Sequence, residues 1–485
     1  MRESIWACYL RCGHGSRLYL NNLKGVVMNS LSRVMTFMGA LLVSGGSLAL
    51  PHKNVEDCAS INQHVTKAEA VAEKGRYRQA LTITDEFDFS TQGAFSEYIA
   101  HQRKKILAEN PKAHLPCPIT TPISDQLYGG RNLKVIDLIA PFQVEPRMQA
   151  KSNTEKKQDT RGVLLIHGLT DSPFIFHDLA SSFLKQGITV RTLLLPGHGT
   201  APSALVDVSH AQWRAATEYG VQSMLEDFDT VYLGGFSTGG ALLIDYLNQQ
   251  KISLAQEEQI KGLMLWSPAS QAKANMAWAA QYVAWFKDYI DESTDIDFAK
   301  YESFPFNAAA QIYSLMQHIQ PANLTYTPDI PLFVVASEVD QTIDTKSTLR
   351  VLEHWHNKGM RKTQHKDTLI YYADKAQQPV LPSSINVIKP ELCTRGDYCD
   401  ALIGIAHTAL TNAPNNQHYG WQGVYRNCEH VFGTEYYRTC KTTQNAILGE
   451  TTAQALQAYP AMQRLTFNPY FDHMVEALTR FIASK

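Results

Sequence analysis

The sequence predicts an α/β protein with a mostly parallel central sheet, helices on both faces of that sheet and a small N-terminal helical region. Short apolar runs alternate with longer amphipathic segments from about residue 133 onward. These runs are nearly continuous in hydrophobicity, as in strands that are buried on both faces. Hydrophobic residues make up 44% of the 485 residues and charged residues 19%, a balance that supports a sizeable core.

The apolar runs define the predicted strands, and the amphipathic segments define the predicted helices. Strands are predicted at 133–139, 162–168, 189–197, 229–235, 262–268, 331–337, 368–374 and 401–407. Helices are predicted at 172–186, 209–226, 238–250, 344–357 and 470–484. In a parallel sheet the functional residues lie on loops at the carboxyl ends of the strands, so those loops hold the candidate site.

The first fifty residues resemble a signal segment. Arg33 precedes an apolar stretch from Val34 to Leu50, and Ser47 and Ala49 fit cleavage after Ala49. The stretch is short for a membrane span and glycines interrupt it, so a cleaved signal is favoured over an uncleaved anchor or a buried helix. Met28 would be a more natural start than the first residue. We therefore expect an exported protein, periplasmic or secreted, with no stable membrane span in the mature chain.

Residues 51–132 are predicted to form an N-terminal helical region followed by a loop. Residues 58–110 are rich in Ala, Glu, Lys and Gln, which favours helices. Residues 111–132 contain prolines and paired glycines, which favour a loop. The polar stretch 146–160 predicts a second exposed loop.

Cysteine usage agrees with export, because six cysteines follow the predicted cleavage point and an even number in an oxidising compartment indicates disulfides. Pairing of nearest neighbours predicts Cys58–Cys117, Cys393–Cys399 and Cys428–Cys440, although other pairings are open. The spacings are not those of zinc ligands and no H-E-x-x-H is present, so neither a metal nor an organic cofactor is expected. The formal net charge of -2 gives no reason to expect a nucleic-acid partner.

One serine stands at a strand-to-helix junction. Ser237 lies in "GFSTG", directly after one predicted strand and before the next predicted helix. A serine in a G-x-S-x-G turn of this kind adopts a strained backbone and projects its hydroxyl from the sheet. Gly235 and Gly239 approach each other in that turn and must be small. The phosphate-binding alternatives G-x-G-x-x-G and G-K-[ST] are not matched, and an ordinary glycine-rich connection is the remaining alternative.

A serine nucleophile needs a base, and the base needs an acid that orients it. Asp340 follows the strand predicted at 331–337 and is the best acid. His407 ends the apolar run at 401–407 and is the best base. The less favoured alternatives are Glu338 and Asp344 for the acid and His354, His356 and His365 for the base. The order Ser, Asp, His along the chain is that of the α/β-hydrolases and differs from two common protease orders.

The reaction also needs N–H groups that stabilise an oxyanion. The backbone N–H of Thr238 follows the nucleophile, and the N–H of Leu169 lies in the loop after the strand predicted at 162–168. These two groups are the predicted oxyanion hole. His167 and His198 are interpreted as structural.

Five motifs, "LLIHGLTDSP", "LLLPGHGTAP", "GGFSTGG", "VASEVDQTID" and "AHTAL", together resemble the α/β-hydrolase superfamily. They are most similar to its carboxylesterase, monoglyceride-lipase and serine-aminopeptidase-like branch, and the resemblance covers about residues 133–485. It implies a triad of Ser237, Asp340 and His407, and a helical cap at 271–329. This segment is rich in aromatic and Met side chains, and we expect most of them only to pack between cap and core. The interval between Asp340 and His407 is longer than is usual in the family, which indicates an insertion at 375–400 near the active-site face.

These observations predict an exported serine hydrolase that cleaves carboxylic esters through an acyl-enzyme on Ser237, acting on a small-molecule ester or acyl substrate. A peptidase, thioesterase or acyltransferase could use the same triad. A hydrolase fold used only for binding is the alternative from a different class of protein.

Overall fold

The computed structural model of the protein describes residues 56–63, 75–90, 93–147, 160–358, 367–373, 379–390, 393 and 398–484. The predicted signal segment lies outside these residues. Among them no helix combines the length and the hydrophobicity that crossing a membrane requires.

Helices and strands alternate along most of the described chain. The α-helices are α1 Phe95–Glu109, α2 Pro122–Tyr128, α3 Val135–Ile139, α4 His177–Lys185, α5 His210–Asp227, α6 Thr238–Asn248, α7 Leu254–Gln259, α8 Ala280–Val283, α9 Phe306–His318, α10 Thr345–Lys358, α11 Tyr436–Thr442, α12 Ala453–Ala458 and α13 Phe471–Ala483. The strands are β1 Gln143–Val144, β2 Arg161–Ile166, β3 Thr189–Leu193, β4 Thr230–Phe236, β5 Ile260–Trp266, β6 Tyr289–Asp291, β7 Phe304–Pro305, β8 Leu332–Ser337, β9 Thr368–Tyr372, β10 Asn386–Ile388, β11 Leu402–Ile403, β12 Leu448–Gly449 and β13 Gln463–Arg464. The 3₁₀ helices are Ser60–Gln63, Pro173–Phe176, Pro202–Leu205, Ala277–Ala279, Cys399–Ala401, His407–Ala409 and Glu429–Val431.

The central sheet has eight strands in the order β1-β3-β2-β4-β5-β8-β9-β10. All neighbouring strands are parallel except β1, which is antiparallel to β3. Because side chains alternate across a strand, Leu164 and Ile166 enter one core with α5, α6, α9 and α10, whereas Val163 and Leu165 enter a second core with α4 and α13. The predicted parallel sheet with helices on both faces is therefore confirmed.

Two strand predictions are wrong, for different reasons. Residues 133–139 include helix α3, because their apolar side chains fall on one helical face and Asp137 accepts a hydrogen bond from the Lys134 N–H at 3.0 Å. Of residues 401–407, only Leu402–Ile403 form a strand. This strand lies in a separate three-stranded parallel sheet with β12 and β13, and Gly404 ends it at a φ of 97°.

The N-terminal region also differs from its prediction in part. Helix α1 lies within the expected helical stretch, whereas residues 75–90 form turns and extended chain. The stretch 64–74 lies outside the described residues. The loop expected at 111–132 contains helix α2, which begins with Thr121 as its N-cap and Pro122 in its first turn. Most of the loop predicted at 146–160 lies outside the described residues.

The segment 271–329, predicted as a helical cap, contains the hairpin of β6 and β7 and the helices α8 and α9. The expectation that its aromatic side chains mostly pack against the core is wrong for the stretch around α8. Trp285 and Phe286 are 85% and 91% exposed, and Trp278 and Tyr282 are also exposed.

Three disulfides join the six cysteines that follow the predicted signal segment, and they are the pairs predicted from nearest neighbours: Cys58–Cys117, Cys393–Cys399 and Cys428–Cys440. Part of the predicted insertion at 375–400 extends the sheet, because β10 pairs parallel to β9 at its edge.

Candidate active site

Ser237 occupies the turn between β4 and α6. Its φ of 50° and ψ of -112° lie in a backbone region that residues other than glycine rarely adopt. The Ser237 N–H donates to the Trp266 carbonyl at 2.9 Å, and the Ser237 carbonyl accepts from the Ala269 N–H at 2.9 Å. Contacts with the neighbouring strand end therefore hold the strained turn in place.

The glycines around Ser237 have separate steric reasons. A Cβ on Gly235 would lie 2.4 Å from the Gly239 carbonyl carbon, and a Cβ on Gly239 would lie 2.0 Å from the Ile166 oxygen. Gly235 and Gly239 are thus required by the turn and by the approach of α6 to β2. A Cβ on Gly240 would lie 2.9 Å from the Pro268 Cβ, so packing of α6 against the loop after β5 explains that glycine.

The structure brings Ser237, His407 and Asp340 together. The Ser237 hydroxyl lies 3.1 Å from His407 Nε2, and His407 Nδ1 lies 2.7 Å from Asp340 Oδ2. Ser237 lies at the carboxyl end of β4, Asp340 follows β8, and His407 begins a 3₁₀ helix after β11. All three residues are buried, with exposures of 7%, 4% and 0% for Ser237, His407 and Asp340.

Asp340 is held as an acceptor from several directions. Its Oδ1 accepts from the N–H groups of Thr342 and Ile343 at 2.7 and 2.8 Å, and its Oδ2 accepts from the Ser267 hydroxyl at 2.6 Å. Burial alone would raise the pKa of Asp340, but His407 and these hydrogen bonds outweigh burial and lower the pKa below its usual value. The carboxylate is therefore ionised at neutral pH and can orient the His407 ring.

The less favoured acids and bases lie elsewhere. Glu338 is exposed, and Asp344 lies 3.8 Å from Lys273 and Arg350. His354 contacts the Leu324 carbonyl, and His356 contacts Asp367. His365 lies outside the described residues.

The predicted oxyanion donors face the same cavity as Ser237. Leu169 and Thr238 both line it, and within the described part of the chain neither backbone N–H donates to another protein group. The loop that carries Leu169 is fixed by two buried histidines. His198 Nε2 accepts from the Thr170 N–H at 3.0 Å, and His167 Nε2 accepts from the Leu195 N–H at 3.1 Å.

Both histidines are held in the neutral form. Burial lowers the pKa of His198 to about 4 and that of His167 well below its usual value. These contacts match the structural interpretation of the two residues.

The cavity beside Ser237 has a volume of about 710 Å³ and two chemically different walls. Cap residues supply most of the apolar wall, among them Val283, Phe304, Ala309, Ile312 and Met316. A polar wall is formed by residues from four separate stretches of chain: Asp171, Lys300, Glu302, Asn427, Glu429 and Arg464. The cavity can therefore accept a molecule with one apolar and one polar part.

Two carboxyl groups of the polar wall hold protons more tightly than usual. Burial raises the pKa of Asp171 to about 6, although Lys300 and His407 nearby oppose the shift. Burial and the neighbouring Glu302 also raise the pKa of Glu429. Within the residues that the structure describes, no group of three His, Cys, Asp or Glu side chains is arranged to hold a metal ion.

Sequence reasoning missed Ser267, which contacts both Asp340 and the His407 ring. Its hydroxyl lies 3.2 Å from His407 Nδ1, and its own φ is 41°. It follows β5 directly, so its place at the carboxyl end of a buried strand is the signal that could have found it. The polar residues of the wall beyond residue 411 gave no such signal, because they follow no strand of the central sheet.

A second Asp–His–Ser arrangement lies near the amino end of β9, at the end of the central sheet opposite to the end that holds Ser237. His356 Nδ1 lies 2.7 Å from Asp367 and His356 Nε2 lies 2.6 Å from the Ser384 hydroxyl. The nearby N–H groups of Ile385 and Asn386 already donate to backbone carbonyls, so they cannot serve as oxyanion donors. This arrangement therefore ties the loop before β10 to α10, and it supplies a matched control for Ser237.

Comparison with known proteins agrees with the fold. Residues 163–374 match the alpha/beta hydrolase family. A thermostable monoacylglycerol lipase from Bacillus sp. (strain H-257) is 35% identical over 83 residues, which are 17% of this chain and 33% of the lipase. A carboxylesterase from Bacillus subtilis (strain 168) is 22% identical over 200 residues, which are 39% of this chain and 76% of the esterase. The chain thus spans only a third of the length of the lipase.

Solved structures with a similar fold include a soluble variant of monoglyceride lipase from Saccharomyces cerevisiae, at 15% identity and a TM-score of 0.38, covering 48% of this chain and 82% of that one. They also include Est1E from Butyrivibrio proteoclasticus with ferulic acid bound, at 15% identity and a TM-score of 0.34, covering 48% and 84%.

The strand order, the turn at Ser237 and the helices on both faces define the α/β-hydrolase fold. Residues 163–374 carry the match to the alpha/beta hydrolase family, and the proteins to which parts of this chain are similar include a lipase and an esterase.

Proposed function

We propose that the protein is a serine hydrolase that cleaves carboxylic esters through an acyl-enzyme on Ser237. The observation that carries this proposal is the continuous hydrogen-bonded path from Asp340 through His407 to Ser237. This path opens into the cavity beside the N–H groups of Leu169 and Thr238, which have no acceptor among the described residues. This path supplies a nucleophile, a base and an orienting acid at hydrogen-bonding distances.

In the acylation step, Ser237 Oγ attacks the ester carbonyl carbon while its proton moves to His407 Nε2. The negative charge that develops on the carbonyl oxygen is stabilised by the N–H groups of Leu169 and Thr238, and the imidazolium of His407 is stabilised by Asp340. When the tetrahedral intermediate collapses, His407 gives its proton to the alcohol oxygen. The alcohol leaves and Ser237 remains acylated.

In the deacylation step, a water molecule takes the place of the alcohol. His407 accepts a proton from this water as the water oxygen attacks the acyl carbon. Collapse of the second tetrahedral intermediate breaks the bond to Ser237 Oγ, which recovers its proton from His407. The carboxylic acid product then leaves, and the site returns to its starting state.

The two walls of the cavity favour an ester with an apolar acyl group and a polar alcohol. The apolar wall suits a hydrocarbon chain, whereas the polar wall offers hydrogen bonds to hydroxyl groups. The partial match to a monoacylglycerol lipase supports a substrate of this class. We propose a glycerol monoester as the first substrate to test.

We also propose that the protein is exported. Three disulfides within the described residues are compatible with an oxidising compartment. The predicted signal segment supplies the route, and periplasmic and secreted locations are both consistent with it.

Substitution of Ser237 tests the proposed function. Ser237→Ala should lower kcat for a short p-nitrophenyl ester by at least about 10⁴-fold, because the nucleophile is removed while the oxyanion donors remain. Ser384→Ala removes a serine that also bonds to a histidine paired with an aspartate, and it should leave kcat unchanged. Equal activity of Ser237→Ala and the unaltered protein would refute the proposal.

The other reactions open to the same triad differ in the bond that is cleaved or in the acceptor. Matched ester, thioester and aminoacyl-amide substrates, each with and without an added alcohol acceptor, separate an esterase from a thioesterase, a peptidase and an acyltransferase. A binding protein would turn over none of them.

A further inference from the structure

A buried ion pair lies beside the candidate triad, in the part of the chain that follows His407. Glu450 directly follows β12 and is fully buried, and Arg464 ends β13. Arg464 Nε donates to Glu450 Oε1 at 2.8 Å and Arg464 Nη2 donates to Glu450 Oε2 at 3.0 Å. The two side chains therefore form a bidentate pair with a fixed geometry.

This pair contacts both loops that carry the acid and the base. Glu450 Oε2 accepts from the His407 N–H at 3.1 Å and from the Gln341 N–H at 3.4 Å. Arg464 Nη2 also donates to the Thr342 hydroxyl at 2.8 Å. Thr342 in turn donates its N–H to Asp340. The pair therefore bonds directly to the His407 backbone and reaches Asp340 through Thr342.

The small sheet holds the same loops from the backbone side. Strand β11 ends four residues before His407 and pairs with β12 through Leu402–Leu448 and Ile403–Gly449. Strand β12 pairs with β13, which carries Arg464. The chain after His407 thus returns to hold the loop that carries His407.

We infer that Glu450, fixed by Arg464, is a positioning residue that sets the distance of His407 from Ser237 and Asp340. The inference rests on the proposed function of this triad. Glu450 itself does not line the cavity, so it acts through the His407 and Gln341 backbone and not through the substrate. A displacement of about 1 Å in a reacting group can lower the rate about 100-fold. Loss of a residue that positions His407 can therefore have an effect of this size.

The burial of Glu450 also excludes a passive surface role. An ionised carboxylate loses hydration on burial and must be paired. Burial would raise the pKa of Glu450, but Arg464 and the His407 N–H outweigh burial and lower it. Glu450 is therefore a carboxylate that accepts hydrogen bonds at neutral pH. Its Oε2 accepts from the His407 and Gln341 N–H groups, whereas its Oε1 accepts from the Thr451 N–H.

The test compares kcat and KM for a neutral ester in Glu450→Ala, Glu450→Gln and the control Asp245→Ala. Asp245 is also buried and ion-paired, with Arg214 at 2.7 Å, but it lies on α6 away from the triad loops. Glu450→Ala should lower kcat by about 10- to 100-fold with KM changed by less than about twofold. Glu450→Gln should recover part of the loss, because its amide oxygen can accept the His407 N–H. Asp245→Ala should lower stability alone.

The outcomes separate the inference from the proposed function. An unchanged kcat in Glu450→Ala, or an equal loss in Asp245→Ala, would overturn the inference. If Glu450→Ala does not fold, Glu450→Gln decides, with a kcat several-fold below normal at unchanged KM expected and a normal kcat contradicting the inference. Absence of Ser237-dependent turnover in the unaltered protein would overturn the proposed function, and the inference with it.

Discussion

Ser237 combines backbone strain with burial, and both features follow from its neighbours. Holding a serine at a φ of 50° costs about 1–3 kcal/mol, which the contacts of the turn with Trp266 and Ala269 must offset. Only glycine fits at 235 and 239, because a Cβ at either position would lie closer to neighbouring backbone atoms than van der Waals contact allows. The hydroxyl is thereby directed at His407.

At the residue scale, the raised pKa of Asp171, which lies near His407, can be tested through the pH dependence of stability. Its pKa is raised to about 6 in the folded protein, so the folded state holds a proton that the unfolded state releases near pH 4. The carboxyl group therefore contributes stability that is present below about pH 4 and is lost as the pH rises through about 6.

Asp171→Asn should remove this dependence. The free energy of unfolding of Asp171→Asn relative to the unaltered protein should rise between pH 4 and pH 6, as measured by urea denaturation at several pH values. A difference that is independent of pH would contradict the raised pKa of Asp171.

Sequence reasoning could single out the three residues that the structure brings together, because each follows a strand or apolar run that predicts its place. It could not single out Glu450, whose role depends on contacts between segments that are distant in sequence. For Ser267, the position after β5 could be predicted from the sequence, but its contacts with Asp340 and His407 could not.

At the element scale, helix α9 forms part of the apolar wall through Ala309, Ile312 and Met316. The helical cap predicted at 271–329 includes this helix, whereas the stretch around α8 forms only short helical pieces whose aromatic side chains are exposed. The prediction of a strand at 133–139 is wrong for a different reason, because a short apolar run fits a helix or a strand equally well.

Filling the wall at Ala309 should change the preference for acyl chain length. Ala309→Trp places a large side chain in the cavity, so turnover of long-chain esters should fall about tenfold or more relative to acetyl esters. The exposed Gln317 lies on the same helix outside the cavity, and Gln317→Trp should leave the ratio unchanged. An equal loss for both chain lengths in Ala309→Trp would indicate general damage and contradict the assigned wall.

At the scale of the whole molecule, disulfides join the parts of the chain outside the central sheet. Cys58–Cys117 closes 59 residues and Cys428–Cys440 closes 12, so removal of the first should cost more stability. Loop-closure entropy gives about 4 kcal/mol for the first and about 3 kcal/mol for the second.

Paired Cys→Ala substitutions followed by denaturant unfolding measure these losses. A smaller loss for Cys58–Cys117 than for Cys428–Cys440 would contradict the entropic argument. The pairing of nearest neighbours in sequence is confirmed for all three disulfides, although spacing alone left other pairings open. The three-stranded sheet was not predictable, since each of its strands has only two residues.

The proposed covalent intermediate on Ser237 can be trapped with a fluorophosphonate probe. Attack by Ser237 Oγ on phosphorus expels fluoride and leaves a stable adduct, which peptide mass spectrometry can locate. We expect one adduct on the peptide that contains Ser237, with none in Ser237→Ala or in denatured protein and full labelling in Ser384→Ala. No adduct on the folded protein, or an adduct on another serine that persists in Ser237→Ala, would contradict the proposed intermediate.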